Sequence, residues 1–365
     1  MACDFRALAV PGVQALSPYV PGKPIAELER ELGISNIIKL ASNENPLGPS
    51  PAVLRAVERA AQDLALYPDG SGFSLKSAIS ARFGLTPAQL TLGNGSNDLL
   101  DMIARAFLAP GRRSVFAQYA FAVYPLATQA VGAEAVEVPA FLYGHDLDAM
   151  ATAAQGASVV WLANPNNPTG TWFDRAAFER FMAQLPESVL VVLDEAYSEY
   201  VDESAYPNGL EYLPKFANLV VCRTFSKAYG LAGLRVGYSA SSPEIADMLN
   251  RVRQPFNVSS VALAAAEAVL GDDDYLKRSV AVNRAGLAQI ADGLRELDLA
   301  AIPSIGNFIT FDCGRPAQPL FQALLREGVI VRPVGNYGMP DHLRVSIGTH
   351  EQNARFLAAL GKVLA

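Results

Sequence analysis

One lysine sits in a stretch whose neighbours suit covalent amine chemistry. Residues 224–238 read TFSKAYGLAGLRVGY, with Lys227 directly after Ser226, Thr224 just upstream and Arg235 at the far end of a run of small residues. A buried-looking lysine with anion-binding groups around it points to covalent amine chemistry rather than a solvated surface charge. The hydroxyls and the arginine are groups that hold an anion. Asp194 closes the apolar run VLVVL, with Tyr197 three residues on, and NPNNPTG, which contains Asn167, follows the run VVWLA. Gly95, Ser96 and Asn97 lie where a helix begins, and free N–H groups with the helix dipole attract negative charge there. Singly, each signal is ordinary: an aspartate at a strand end is often a cap, and a glycine turn is often only a turn.

The elements that must position these residues alternate. SVFAQ, AVEVP, ASVVWLANP, SVLVVLDEAY, NLVVCRTFS and LRVGYSA are strand-length, and helical patterns separate the first four. Nearly continuous apolar runs bounded by turns predict an α/β fold, a mostly parallel sheet sandwiched by helices. Ligands in such sheets bind beyond the carboxyl ends of the strands, where the polar residues above fall. Ser50-Pro51 predicts a helix start, with Val53, Leu54, Val57 and Leu64 on one apolar face of a helix running to Tyr67. After residue 260 a long helical region, interrupted at Gly271, leads into NFITFD, LFQALLREG, VIVRPV, HLRVSIG and a last helix, a smaller α+β domain. The expected division is a large domain over residues 46–259 and a small domain made of residues 1–45 with 260–365.

Composition narrows the function classes. The 365 residues carry 29 Lys plus Arg against 36 Asp plus Glu, a net charge of −7 that excludes nucleic acid or an anionic membrane as the main partner. Cys3, Cys222 and Cys313 are far apart, and the histidines His145, His342 and His350 sit in unrelated contexts. Neither a disulfide framework nor a metal site is expected, which fits a reducing compartment. MACDFRALAVPG has no long apolar core, so no secretory leader is expected, and no apolar run is long enough to span a bilayer. A cytoplasmic location follows as the expectation.

Jointly the motifs are far more specific. From SPYVPG and NENPLGP through NPNNPTG, DEAY and TFSKAYGLAGLRVGY to LRVSIGT, nearly the whole chain resembles the fold-type-I, aspartate-aminotransferase-like family of pyridoxal-phosphate enzymes, and within it the histidinol-phosphate aminotransferases. The resemblance implies that Lys227 forms a Schiff base with the cofactor and then carries the proton as a free amine. It implies Asp194 at the pyridine nitrogen, Tyr197 and Asn167 at the ring hydroxyl, and Phe121 stacked on the ring. The cofactor phosphate falls to Gly95, Ser96, Asn97, Thr224, Ser226 and Arg235. Tyr67 of the partner subunit completes that phosphate site, which implies a homodimer with shared active sites.

For the substrate, Arg344 in LRVSIGT matches the family's carboxylate-binding arginine, and Arg332 in VIVRPV lies twelve residues earlier. With Tyr19 they are expected to accept both the phosphate of histidinol phosphate and the α-carboxylate of glutamate. Tyr19, Phe121 and Tyr337 could face an imidazole, but flat rings suit phenylalanine or tyrosine too. Transamination between histidinol phosphate and 2-oxoglutarate is therefore the first expectation, and an aromatic amino acid aminotransferase the second. A pyridoxal-phosphate decarboxylase, or a nicotinamide-dependent dehydrogenase using the turn at Gly93 to Gly95, are further alternatives.

Overall fold

The structure, a computed structural model, describes residues 3–18 and 21–365. Its strands are β1 (Ile38–Lys39), β2 (Leu90–Gly93), β3 (Arg113–Ala117), β4 (Glu134–Val138), β5 (Val159–Ala163), β6 (Leu190–Asp194), β7 (Leu219–Thr224), β8 (Gly237–Ala240), β9 (Phe308–Asp312), β10 (Val329–Ile330), β11 (Arg332–Pro333) and β12 (His342–Ser346). Seven of them form one sheet in the order β2-β8-β7-β6-β5-β3-β4. Only β8 runs against the rest, pairing antiparallel with both β2 and β7.

Every residue of β5, β6 and β7 is buried, because each side of the sheet faces its own apolar core. Val160, Leu162, Val191, Leu193 and Val221 enter one core, with the helices Arg175–Gln184 and Ser260–Leu270. Val159, Trp161, Val192, Val220 and Cys222 enter the other, with the helices Ser96–Phe107 and Val123–Ala130. Strand side chains alternate between faces, so a sheet covered on both sides needs apolar residues without a gap. That is why these runs show no polar alternation in sequence.

A smaller antiparallel sheet, β11-β12-β9, has a separate core containing Phe311, Val345, Phe356 and Leu360. Ile38 and Leu40 belong to this core, and β1 pairs in parallel with β10. Packing does not follow the expected division at every point. The helix Ser260–Leu270 buries Ala262, Ala265 and Ala266 in the large core, and Tyr275 still points there, whereas Ile290 and Leu294 lie in the small core. Near the amino terminus, Gly12 sits so close to Gln129 that a Cβ would come within 2.0 Å of its carbonyl oxygen. We propose a division inside the helix Asp273–Glu296, with residues 25–41 in the small unit and residues 11–14 resting on the large one.

The helix after Ser50 is shorter than predicted. It spans Pro51–Ala60, with the Ser50 hydroxyl capping Val53 N–H, and gives way to a 3₁₀ turn over Ala61–Asp63. Val53 and Ala56 are its buried residues, while Leu54 and Leu64 are 55% and 64% exposed. Its partner is the alanine-rich helix Ser260–Leu270, and small side chains admit a close approach that selects the narrower Val53/Ala56 stripe. No helix among the described residues is long and apolar enough to cross a membrane.

Candidate active site

Loops at the carboxyl ends of β5, β6 and β7 meet the start of the helix Ser96–Phe107 and one edge of the small sheet, enclosing a cavity of about 180 Å3. Asp194 ends β6 and is buried in its wall. Tyr124 donates its O–H to Asp194 Oδ2 at 2.9 Å, and the Ala196 N–H donates to Oδ1 at 3.2 Å. Burial pushes this carboxyl up to about 6; the two hydrogen bonds and the Lys227 charge pull the other way.

Lys227 follows β7 and projects into the same space, where its Nζ donates to the Ser42 carbonyl at 3.1 Å. Burial lowers its amine to about 7, helped by the positive charge of Arg344 and opposed by Glu44. The amine is therefore substantially neutral near pH 7. Its neighbour Tyr197 is buried, takes a hydrogen bond from Asn43 Nδ2 at 2.9 Å and has its phenol pushed up by that burial.

The anion-binding corner is built around two glycines. Gly95 has φ +80°, and a Cβ there would lie 2.3 Å from Arg235 Nη2. A Cβ on Gly237 would lie 2.9 Å from the Ser96 nitrogen. Only residues without side chains let β8, the Arg235 guanidinium and the helix start come this close. Arg235 itself has φ +55° and reaches Ser226 Oγ at 3.4 Å, while Thr224 Oγ1 accepts the Ser226 N–H at 3.1 Å. The corner thus combines a guanidinium, two hydroxyls and the first N–H groups of a twelve-residue helix, a donor set for a doubly charged anion.

A second cationic corner comes from the small sheet. Arg332 and Arg344 are direct cross-strand partners in the β11–β12 ladder, and both line the cavity. Two guanidinium groups lining one cavity side by side suit a site for negative charge. Arg344 is buried; it donates to Asn167 Oδ1 and, at 2.8 Å, to the Ala41 carbonyl. Asn167 is held in a loop with cis bonds before Pro165 and Pro168, fixed by the Asn164 side chain on Phe173 and the Asn166 side chain on Tyr119 and Thr169.

Most of the expected residues converge here. Ser96, Asn97, Phe121, Asn167, Asp194, Tyr197, Thr224, Ser226, Lys227, Arg235, Arg332 and Arg344 all line the cavity, with Gly95 behind the helix start. Phe121 also packs edge-on to Tyr124, so it is both wall and core. Tyr337 packs with Tyr119 beside Val334 and Met339 and is not among the lining residues. Tyr19 lies outside the described residues. Tyr67 does not reach the cavity of its own chain: it is 83% exposed and stacks on Phe256, ring centroids 4.8 Å apart. Sequence reasoning missed Tyr124 and Asn43. Asn43 lay in the quoted NENPLGP without a role, and Tyr124 stood unremarked three residues after Phe121.

The family model described as aminotransferase class I and II matches residues 35–360. The chain belongs to that family. This aminotransferase is 63% identical over 365 residues to histidinol-phosphate aminotransferase 2 of Pseudomonas aeruginosa, covering 99% of each chain. It is 57% identical over 368 residues to histidinol-phosphate aminotransferase 2 of Methylococcus capsulatus, again over 99% of each. Among solved structures, the histidinol-phosphate aminotransferase of Sinorhizobium meliloti in complex with pyridoxal-5'-phosphate aligns with a TM-score of 0.91 at 34% identity, covering 97% of both chains. A Thermus thermophilus aspartate aminotransferase double mutant aligns over 100% of each chain with a TM-score of 0.83 at 22% identity, a likeness of fold alone. The fold is therefore the fold-type-I aminotransferase fold expected from sequence.

Proposed function

We propose that this aminotransferase uses pyridoxal phosphate to exchange an amino group between histidinol phosphate and 2-oxoglutarate, a step of histidine biosynthesis. The observation that carries the substrate reading is the second cationic corner. One cavity holds Arg235 with a helix start and, separately, the facing pair Arg332 and Arg344. Two anion sites suit a phosphorylated cofactor together with a phosphorylated or carboxylated substrate. Full-length likeness to the two histidinol-phosphate aminotransferases supports the same reading.

The residues fit the cofactor. The glycine-lined corner at Gly95 and Gly237 leaves the Arg235 guanidinium and the Ser96 N–H open to a phosphate, and Lys227 and Asp194 line the same cavity. When bound, pyridoxal phosphate supplies an aldehyde for amines and a protonated ring that draws electrons from the substrate carbon. Everything else is done by the chain. Lys227 would hold the aldehyde through its amine, and its Nζ, when free, would take the proton from the carbon bearing the substrate nitrogen. Positioned proton transfer of this kind contributes ~10²–10⁴-fold. Asp194, buried in the cavity wall, would hold positive charge on the ring nitrogen, where water screens the contact weakly. Tyr197 and Asn167 would hold the ring hydroxyl, Phe121 would cover one ring face, and Arg332 with Arg344 would fix the substrate anion by charge-assisted hydrogen bonds of roughly 1.5–3 kcal/mol each.

We further infer that two chains share their sites, with Tyr67 of the partner subunit completing each phosphate corner. The exposed Leu54, Leu64, Leu66, Tyr67 and Phe73, crowded into one stretch of chain, support this. A cytoplasmic setting is supported by three cysteines that form no disulfide. Specificity constants with 2-oxoglutarate as acceptor test the substrate: histidinol phosphate should exceed phenylalanine and tyrosine, and a clear win for either amino acid overturns the assignment. Arg344→Ala should slow the half-reactions with histidinol phosphate and with glutamate alike. Unchanged activity on glutamate contradicts the shared anion site.

A further inference from the structure

Tyr124 is wholly buried in the helix Val123–Ala130 and spends its single O–H on Asp194. Its ring stacks on Trp161 of β5, centroids 5.3 Å apart and planes 6° from parallel. Trp161 is fully buried too, so the stack fixes where the phenol oxygen points. Asp194 Oδ1 meets the Ala196 N–H, and Oδ2 meets Tyr124. Both oxygens are thus restrained by one donor each, the carboxylate having lone pairs to spare for a cation in the cavity.

We propose that Tyr124 is a positioning residue for the reaction: its O–H, 2.9 Å from Oδ2, holds the Asp194 carboxylate turned and charged toward the cavity and so keeps the cofactor bound at lower pH. This rests on reading the cavity as a pyridoxal phosphate site. The other groups around Asp194 cannot replace that donor. β5 offers Ala163 as its register partner and β7 offers Cys222, whose buried thiol is at most a weak donor. Glu195, the residue after β6, opposes the charge, and Lys227 favours it. Tyr197, on the loop that follows β6, gives its hydroxyl to Asn43 as acceptor. A phenol that must donate to a carboxylate is itself harder to ionise, and burial and Asp194 both push Tyr124 well above its usual range. It remains a donor at every pH the protein would meet.

The test is the dissociation constant of pyridoxal phosphate from cofactor-stripped parent and Tyr124→Phe, measured by equilibrium dialysis between pH 5.5 and 8.5. Phenylalanine keeps the stack on Trp161 and deletes only the donor. Ionisations of the cofactor and of Lys227 are common to both proteins and drop out of the comparison. Affinities within about twofold at pH 8.5 are expected, with the variant's acid loss displaced upward by about one pH unit, a tenfold weakening near pH 6. Superimposable profiles overturn the proposal. Equal weakening at every pH also overturns it, since that marks Tyr124 as packing alone. Failure of the parent to bind the cofactor overturns the site reading itself, a distinguishable result. If the phenylalanine variant does not fold, 3,5-difluorotyrosine at position 124 keeps the shape and strengthens the donor; the acid loss should then move to lower pH, and no movement overturns the proposal.

Discussion

Lys227 and Asp194 each keep a functional group in the cavity at a cost to the cofactor-free fold, and the costs have opposite pH dependence. Between about pH 7 and 10.5 the unfolded chain carries a proton on the lysine that the folded chain lacks, so this contribution to stability falls as pH falls through that window and is wholly lost below about 7. For Asp194 the folded carboxyl is the one raised, so its cost appears instead as pH rises from about 3.8 through about 6. Lys227→Met should therefore make the cofactor-free chain more stable than the parent at pH 6, by about 2–3 kcal/mol after allowance for partial solvent screening, with the gain gone near pH 10. Urea unfolding at the two pH values checks this; a gain that persists at pH 10 contradicts it. The same variant should lose activity by at least ~10²-fold. At this scale the motif residues were legible in the sequence because their chemistry is local: Ser226, Lys227 and Arg235 share the connection between β7 and β8. Tyr124 and Asn43 were not, since each acts on a residue 70 or 154 positions away, and nothing in their own neighbourhoods announces the contact.

At the scale of elements, the anion corner depends on how closely β8 and the helix Ser96–Phe107 approach, and glycines set that distance. Gly95→Ala would meet two obstacles at once: a left-handed φ of +80° and a methyl 2.3 Å from Arg235 Nη2. The backbone strain alone costs about 1–3 kcal/mol at this positive φ with extended ψ, and moving the guanidinium removes a phosphate donor. Cofactor affinity should fall at least ~10-fold, more than the loss of thermal stability would suggest, which dialysis and a melting curve on the same protein separate. An alanine variant that keeps full affinity would show that Arg235 has room to relocate. The central strands β5, β6 and β7 were readable in sequence, because two-sided covering demands continuous apolar runs. The face of the helix Pro51–Ala60 was not. Periodicity places Leu54 as readily as Val53 toward a core, and only the alanine-rich partner more than 200 residues later decides for the smaller stripe. That misassigned leucine is informative, since it belongs to the apolar residues left outside.

For the whole molecule, those outward residues bear on why one cavity needs two chains. Tyr67 rests on Phe256 at the surface rather than in its own cavity, and its exposed neighbours Leu64, Leu66 and Phe73 would be poorly solvated on a free monomer. A two-fold pairing that covers this stretch would bury it and carry each Tyr67 toward the other chain's Arg235 corner. Sedimentation should then give twice the 38.9 kDa of one chain. The sharper test uses two damaged proteins. Lys227→Ala destroys the site of its own chain, and Tyr67→Ala weakens the site of its partner. When the two are denatured together and refolded in equal amounts, half the dimers are mixed. Each mixed dimer holds one site with neither residue and one with both. About a quarter of all sites should then regain parental cofactor affinity and turnover, although Lys227→Ala alone has no turnover and Tyr67→Ala alone binds weakly. If Tyr67 served its own chain, a mixed dimer would have one site lacking the lysine and one lacking the tyrosine. Mixing would then restore nothing, and the shared-site arrangement would fall while the chemistry assigned to Lys227 and Asp194 stood.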